Sequence, residues 1–301
     1  MAAFQENGCR LVDWRDWPAD ATDDLLRREA ANALSKARTH QAAAILLDQF
    51  NGALRCEVEA IQTELAAQRL QSARLRLSEL SCSGRQGLRI TQPPQVVVAG
   101  LPNVGKSSLF NALLGYQRAI VYNEPGTTRD VLSADTAIDG WPVTLLDAAG
   151  IRAVDDPVEA SGVQLARSQL AQSDLVIWVL DACTLDAGGL ASPLRVAQRQ
   201  LADAAGDGAH DESLLVVVNK VDLLEQTPAA ASDSIPTSAV TGAGVATLLA
   251  AIGARLTPQS FPPGHPTPFT QRQMELLTEA QAAALQGQSD LAASMLQQLI
   301  G

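Results

Sequence analysis

Between residues 100 and 108 the chain reads Gly-Leu-Pro-Asn-Val-Gly-Lys-Ser-Ser, and this stretch restricts the possible fold more than any other. It fits the phosphate-binding pattern G-x-x-x-x-G-K-[ST]. Before it stands an apolar run of strand length, Val96, Val97, Val98 and Ala99. After it, Leu109, Phe110, Leu113 and Leu114 read as part of a helix. A strand, a glycine loop and a helix N-terminus in that order make an anion site, because backbone N–H groups converge and the helix dipole favours negative charge. Asn103, Val104, Gly105, Lys106, Ser107 and Ser108 are expected around the phosphates. Lys106 would reach the β- and γ-phosphates, and the Ser107 hydroxyl would bind Mg²⁺. The only lysines are Lys36, Lys106 and Lys220. A chain that otherwise uses arginine keeps lysine where a point charge on a flexible stem serves better than a planar fork.

Around the loop the pattern is α/β. Residues 96–99, 143–146, 175–180 and 214–218 are short apolar runs broken only by Thr144. Such runs suit strands of a mainly parallel sheet buried on both faces. Asp139-Gly140, between residues 131–138 and 141–146, signals a hairpin and one antiparallel edge strand. Helical stretches near 160–172, 192–205 and 243–255 complete a layered α/β domain. From about residue 23 to 80 the period is helical. Leu54, Val58, Ile61 and Leu65 line one helix face. Ala30, Leu34 and Ala37, then Ala44, Leu47 and Leu54, suggest an earlier helix or a bent continuation, with Asn51-Gly52 as a break. Arg55, Arg69, Arg74 and Arg76 lie there among glutamates, as a solvated face or, alternatively, an RNA contact. Residues 81–95 read as a linker. Beyond a proline-rich link at 258–266, Thr270 and Gln273 have capping-box spacing before a helix carrying Leu276, Leu277 and Ala280. A last helix is expected over about 291–299, and residues 1–22 form an irregular arm.

Composition excludes several classes. A formal charge of −11 and a pI near 4.7 argue against broad electrostatic binding of nucleic acid, while leaving room for a local basic patch. No apolar run is long enough to cross a bilayer, and the first residues lack the basic start and apolar core of an export signal. A cytoplasmic protein with no membrane contact is expected. Cys9, Cys56, Cys82 and Cys183 show no metal-ligand spacing, so reduced, partly buried thiols are expected.

Further motifs narrow the nucleotide. Asp147-Ala148-Ala149-Gly150 follows a strand; Asp147 would hold Mg²⁺ through water and the Gly150 N–H would sense the γ-phosphate. Asn219-Lys220-Val221-Asp222 follows another. Asp222 can accept from both the ring N–H and the amino group of guanine; adenine lacks that pair, so a site built around this carboxylate is left badly paired by ATP. Asn219 would tie this loop to the phosphate loop, and the Lys220 stem would lie along the base. Ser238-Ala239 would offer the Ala239 N–H to the guanine oxygen. Residues 123–130 stand where a γ-phosphate-sensing switch belongs, with Thr128 as a second Mg²⁺ ligand. GTP is the expected substrate, and a P-loop ATPase is the reading that Asp222 opposes.

These motifs together resemble the Era-like translation GTPases. The helical stretch from Ala33 to Thr39, with residues 42–52, narrows the resemblance to the tRNA modification GTPase MnmE (TrmE) family. That resemblance implies a G domain inserted between segments of a helical domain: arm 1–22, helical 23–90, TrmE-type G domain 91–258, helical 259–301. It also implies K⁺ held by Asn103 with Tyr122, Glu124 and Thr127. Ile151 stands where signalling GTPases carry a water-positioning glutamine, and Glu159 matches the glutamate that orients water instead. Lys106, Thr128 and Glu159 are the implied catalytic residues. The family dimerises through its G domains and is linked to wobble-uridine modification of tRNA, with a flavoprotein partner. A shortened member, without the N-terminal folate-binding domain and the C-terminal Cys motif, is the expectation. The alternative is a slow GTP-dependent binding switch acting on another partner, such as a ribosome-assembly factor.

Overall fold

The computed structural model describes residues 24–116, 133–147, 170, 172–185, 192–205, 213–224, 233–256 and 261–301. In chain order the helical elements before the phosphate loop are α1 (Leu25–Leu34), α2 (His40–Phe50), α3 (Ala53–Ala66) and α4 (Leu70–Thr91). Then come β1 (Gln95–Gly100), α5 (Lys106–Tyr116), β2 (Ser133–Ile138), β3 (Trp141–Asp147), β4 (Leu175–Asp181), α6 (Pro193–Ala205), β5 (Leu214–Asn219), β6 (Ile235–Pro236) and α7 (Val245–Leu256). The chain closes with α8 (Gln271–Leu285) and α9 (Ser289–Ile300). Two compact units result: Pro93–Gln259, and Met1–Gln92 together with Ser260–Gly301. The fold is α/β, with the sheet unit inserted between two stretches of the helical one.

The sheet has strand order β2-β3-β1-β4-β5-β6. All neighbours pair in parallel except β2 with β3. That exception is the hairpin that Asp139-Gly140 announces. Ile138 pairs with Trp141 across it, and Asp139 and Gly140 both take positive φ (49° and 82°), which suits a two-residue turn matched to strand twist. The central strands bury alternate residues on opposite faces. Val96, Val98, Ile177, Val179, Leu215 and Val217 pack with Leu109, Phe110 and Leu113 of α5 and Val245, Leu248 and Ile252 of α7. Val97, Val176, Trp178, Leu180 and Val216 pack with Ala197 and Leu201 of α6 on the other face. Continuous apolar runs are what a doubly covered parallel sheet demands. The stretch near 160–172 lies almost wholly outside the described residues.

In the helical unit, Asp24 caps α1 by accepting from the Arg27 N–H (3.0 Å), and Thr39 caps α2 through the Ala42 N–H (3.1 Å). Leu54, Val58, Ile61 and Leu65 of α3 are all buried, each worth roughly 1.5–3 kcal/mol of apolar burial. They pack with Leu77 and Leu80 of α4, Leu277 of α8, and Leu296 and Leu299 of α9. In α2 the buried face is Ala42, Ile45 and Leu46, whereas Leu47 is 46% exposed. Thr270 and Gln273 form both halves of a capping box.

Two expectations need correction. Residues 81–91 are not linker but the last three turns of α4. Their serines and glycines mark close packing rather than flexibility. A Cβ on Gly84 would collide with the Met274 sulfur and one on Gly87 with the Pro268 carbonyl. Ser83 donates to the Pro266 carbonyl (3.0 Å) and Thr91 to that of Phe269 (2.6 Å). The same proline-rich segment is held by Gln49, which donates to His265 O and accepts from the Thr267 N–H. Cys56, Cys82 and Cys183 are free but exposed, not partly buried, and Cys9 lies outside the described residues. Arg55, Arg74 and Arg76 stay partly exposed while Arg55 pairs with Asp24, Arg76 with Glu57, and Arg74 donates to the Ala284 and Leu285 carbonyls; Arg69 is exposed. Among the described residues no helix is long and apolar enough to cross a membrane.

Candidate nucleotide-binding site

The carboxyl ends of β1, β3, β4 and β5 carry the site, as open parallel sheets require, since crossover helices leave that edge to loops. β1 ends at Gly100, five loop residues follow, and Lys106 is the first residue of α5. The loop turns through Asn103 (φ 65°) and Gly105 (φ 94°). A side chain at Gly105 would strike the Asn219 amide as well as strain the backbone, so the glycine serves both turn and approach. The Lys106 ammonium donates to the Leu101 carbonyl of its own loop (2.8 Å). The Ser107 hydroxyl donates to the Asp147 carboxylate (2.8 Å), which β3 delivers at 1% exposure. A hydroxyl and a carboxylate meeting at the phosphate loop are hard oxygen donors. They fit Mg²⁺, which takes one or two protein oxygens and leaves the rest of its octahedron to water and phosphate. No cluster of three or more His, Cys, Asp or Glu able to hold a metal exists among the described residues.

β5 delivers the second half. Asn219 is buried, and its amide donates to the Val104 carbonyl (3.0 Å). Its oxygen accepts from the Ala239 N–H (3.1 Å) and the Thr237 hydroxyl (3.4 Å). One side chain thus joins the phosphate loop to the loop after β6. Ser238 is buried too, and its oxygen accepts from the Thr241 N–H (3.1 Å), which closes that loop. Lys220 adopts φ 67° and donates from Nζ to the Asn103 carbonyl (2.6 Å) and the Asp181 carboxylate (2.7 Å). Asp222 is the middle residue of the short turn that follows, Val221–Leu223, and is exposed. Asn103, Val104, Gly105, Lys106, Ser107, Asp147, Asn219, Lys220, Ser238 and Ala239 are therefore brought together. Tyr122, Glu124, Thr127, Thr128, Gly150, Ile151 and Glu159 lie outside the described residues.

Asp181 is the residue that motif reading missed. Burial pushes its carboxyl up, but the bonds from Lys220 and from the Cys183 N–H (3.0 Å) outweigh burial and hold it below the usual carboxylate value. The signal was present: an aspartate closing an apolar strand, as Asp147 and Asn219 also do.

Residues 95–220 match the family model described as a 50S ribosome-binding GTPase. A tRNA modification GTPase MnmE from Synechococcus sp. (strain CC9605) is 35% identical over 300 residues, covering 91% of this chain and 63% of the relative. That from Synechococcus sp. (strain RCC307) is 34% identical over 284 residues, covering 86% and 60%. MnmE from Xylella fastidiosa (strain 9a5c) is 41% identical over 180 residues, covering 60% and 37%. The chain thus spans less than two thirds of the length of the curated relatives it matches.

Proposed function

We propose that this chain, a relative of the MnmE tRNA modification GTPases, binds guanine nucleotides and hydrolyses GTP to GDP and phosphate. The observation that carries the reading is the Asn219 bridge. It brings the loop that ends in Asp222 to the loop that carries Lys106 and Ser107, so base and phosphates are met by one site. Lys106 places positive charge on the β- and γ-phosphates, and the N-terminus of α5 adds converging N–H groups. Ser107 and Asp147 would hold Mg²⁺, Asp147 through water, and the ion would supply neutralisation of charge on the phosphoryl oxygens. Asp222 accepts from the guanine ring N–H and amino group.

The resemblance to MnmE supports the finer assignments. Residues 91–258 form the G domain, between helical segments 23–90 and 259–301. Asn103 contributes to a K⁺ site with Tyr122, Glu124 and Thr127. Thr128 joins Ser107 on Mg²⁺, Gly150 senses the γ-phosphate, and Glu159 orients the attacking water in place of the missing glutamine. G domains pair as a homodimer in the cytoplasm, and hydrolysis serves tRNA wobble-uridine modification, with a flavoprotein partner or tRNA as the downstream contact.

The test exchanges the base. An Asp222→Asn variant presents an amide donor where the carboxylate accepted, which suits xanthine, whose C2 carries oxygen in place of the amino group. Guanine nucleotide affinity should fall by at least about a hundredfold while xanthine nucleotide affinity rises. Hydrolysis of GTP and not ATP by the unaltered chain, stimulated by K⁺ over Na⁺, is the companion result. Equal affinity for GTP and ATP would end the guanine reading.

A further inference from the structure

The two halves of the site are joined twice. Asn219 makes one join. The second runs from Asn103 through the Lys220 ammonium to Asp181, and it begins in the sheet register. β4 and β5 pair in parallel with Asp181 directly beside Asn219, so the residue after Asn219 emerges over the end of β4. Each strand then enters a short 3-10 turn, Ala182–Thr184 and Val221–Leu223, and these turns pack through Ala182, Val218 and Val221. Asp181 caps the first turn by accepting from the Cys183 N–H with one oxygen (3.0 Å), which leaves the other aimed at Lys220 (2.7 Å). The carboxylate is held at both ends.

Lys220 needs such a hold. Its φ of 67° is a left-handed conformation that is unfavourable for a residue with a side chain, and its surroundings must hold it there. Its Nζ meets the Asn103 carbonyl at 2.6 Å, inside the phosphate loop. An ammonium at that place without a counter-charge would be drawn toward phosphate oxygens, the task of Lys106. A carboxylate only 14% exposed, itself fixed by the Cys183 N–H, keeps it on the carbonyl.

We propose that Asp181 is a positioning residue of the nucleotide site: it fixes the Lys220 ammonium against the Asn103 carbonyl and so keeps the base loop in register with the phosphate loop. The inference rests on the guanine-nucleotide reading of the site. Asp181 acts through Lys220 and not on the nucleotide. Its effect therefore falls on what GDP and GTP share, the base and the first phosphates, and is equal for both.

The experiment is a titration of the full chain with fluorescent GDP and GTP derivatives. Asp181→Asn keeps shape and one acceptor but removes the charge. It should raise both dissociation constants by the same factor, about tenfold. Lys220→Ala should do the same, and the double variant should be no worse than Lys220→Ala alone, because the two residues act in series. Asp181→Glu, which restores the carboxylate, should recover most of the affinity. Multiplying losses in the double variant, or an Asp181→Asn protein that binds GDP like the unaltered chain, would overturn the inference. So would an affinity loss that follows a fall in thermal midpoint and is not recovered by Asp181→Glu, since that pattern marks a purely structural capping role. Failure of the unaltered chain to bind guanine nucleotides would instead overturn the underlying reading, and the two failures are told apart by that first titration.

Discussion

Asn219→Ala is the perturbation that best separates a built site from a coincidence of loops. Asn219 is 2% exposed, and its amide spans the Val104 carbonyl at 3.0 Å and the Ala239 N–H at 3.1 Å. Alanine removes both partners and leaves a buried acceptor, the Val104 carbonyl, and a half-buried donor, the Ala239 N–H, facing a small void. At roughly 1–3 kcal/mol for each unsatisfied group, the sheet unit should lose about 2–6 kcal/mol. Trp141 and Trp178, each 3% exposed within the sheet, make denaturant unfolding of this unit readable by emission. Nucleotide affinity should fall too, by at least about tenfold, since ligand binding would have to restore a register that the protein no longer holds. Asn219→Asp is the control for shape. It keeps an acceptor for the Ala239 N–H but turns an oxygen on the Val104 carbonyl, so it should be no better than alanine. A change below about 0.5 kcal/mol in Asn219→Ala, with GDP affinity within twofold, would refute the reasoning, because it would mean that the two loops keep their places without the bridge.

Two further outcomes test the helical unit. Gly87→Ala puts a methyl group against the Pro268 carbonyl and Thr267, so equilibrium unfolding should show a loss of about 1–3 kcal/mol with GDP affinity unchanged; a neutral result would mean that the 266–269 segment does not press on α4. For Asp24, burial pushes the carboxyl up, but the bonds from Arg55 and the Arg27 N–H prevail and hold it below its ordinary value. Its contribution is then complete above the ordinary carboxylate range and is lost as pH falls through the lowered value. Asp24→Asn keeps the helix cap and removes only the charge, so the acid limb of a helicity titration from neutral pH downward should flatten; an unchanged acid slope would count against the ion pair.

The sheet unit was legible because its signals are local and redundant. Each buried strand is a continuous apolar run, the hairpin carries Asp139-Gly140, and the phosphate loop has a fixed spacing between glycine and lysine. The helical unit was less so. A rule that takes Ser, Gly and Arg as loop formers misreads residues 81–91, because those small residues answer to a neighbour far along the chain, Thr267 and Pro268, which no local window contains. The spacing of Ala44 and Leu47 does not mark the inner face of α2 for a related reason: with Ile45, Leu46 and Leu47 in succession, only the bundle decides which turns outward. Asp181 escaped because its role is relational. An aspartate after a strand is common, and only the register of β4 against β5 sets it beside the residue before Lys220.

The same register explains what the site can and cannot distinguish by itself. Asp147, Asp181 and Asn219 close three parallel strands, and each spends its side chain on another part of the site: on Ser107, on Lys220, on Val104 and Ala239. The bonds run between loops and are already made within the protein, so little ordering remains to oppose binding of a base and the first phosphates. On the proposed reading, the bonds of Asp181 and Asn219 concern the portion common to GDP and GTP, whereas that of Asp147 to Ser107 lies at the Mg²⁺ position. On the proposed guanine-nucleotide reading, the joins made by Asn219 and Asp181 should therefore favour both nucleotides equally. Any discrimination between them has to come from groups that meet only the third phosphate, since a ligand shifts an equilibrium only by its differential affinity for the two states. Comparing GDP with a non-hydrolysable GTP analogue in the Asn219→Ala protein exposes that division. Both affinities should drop together while their ratio stays that of the unaltered chain. A ratio that moves would place Asn219 in γ-phosphate sensing and not in the shared framework.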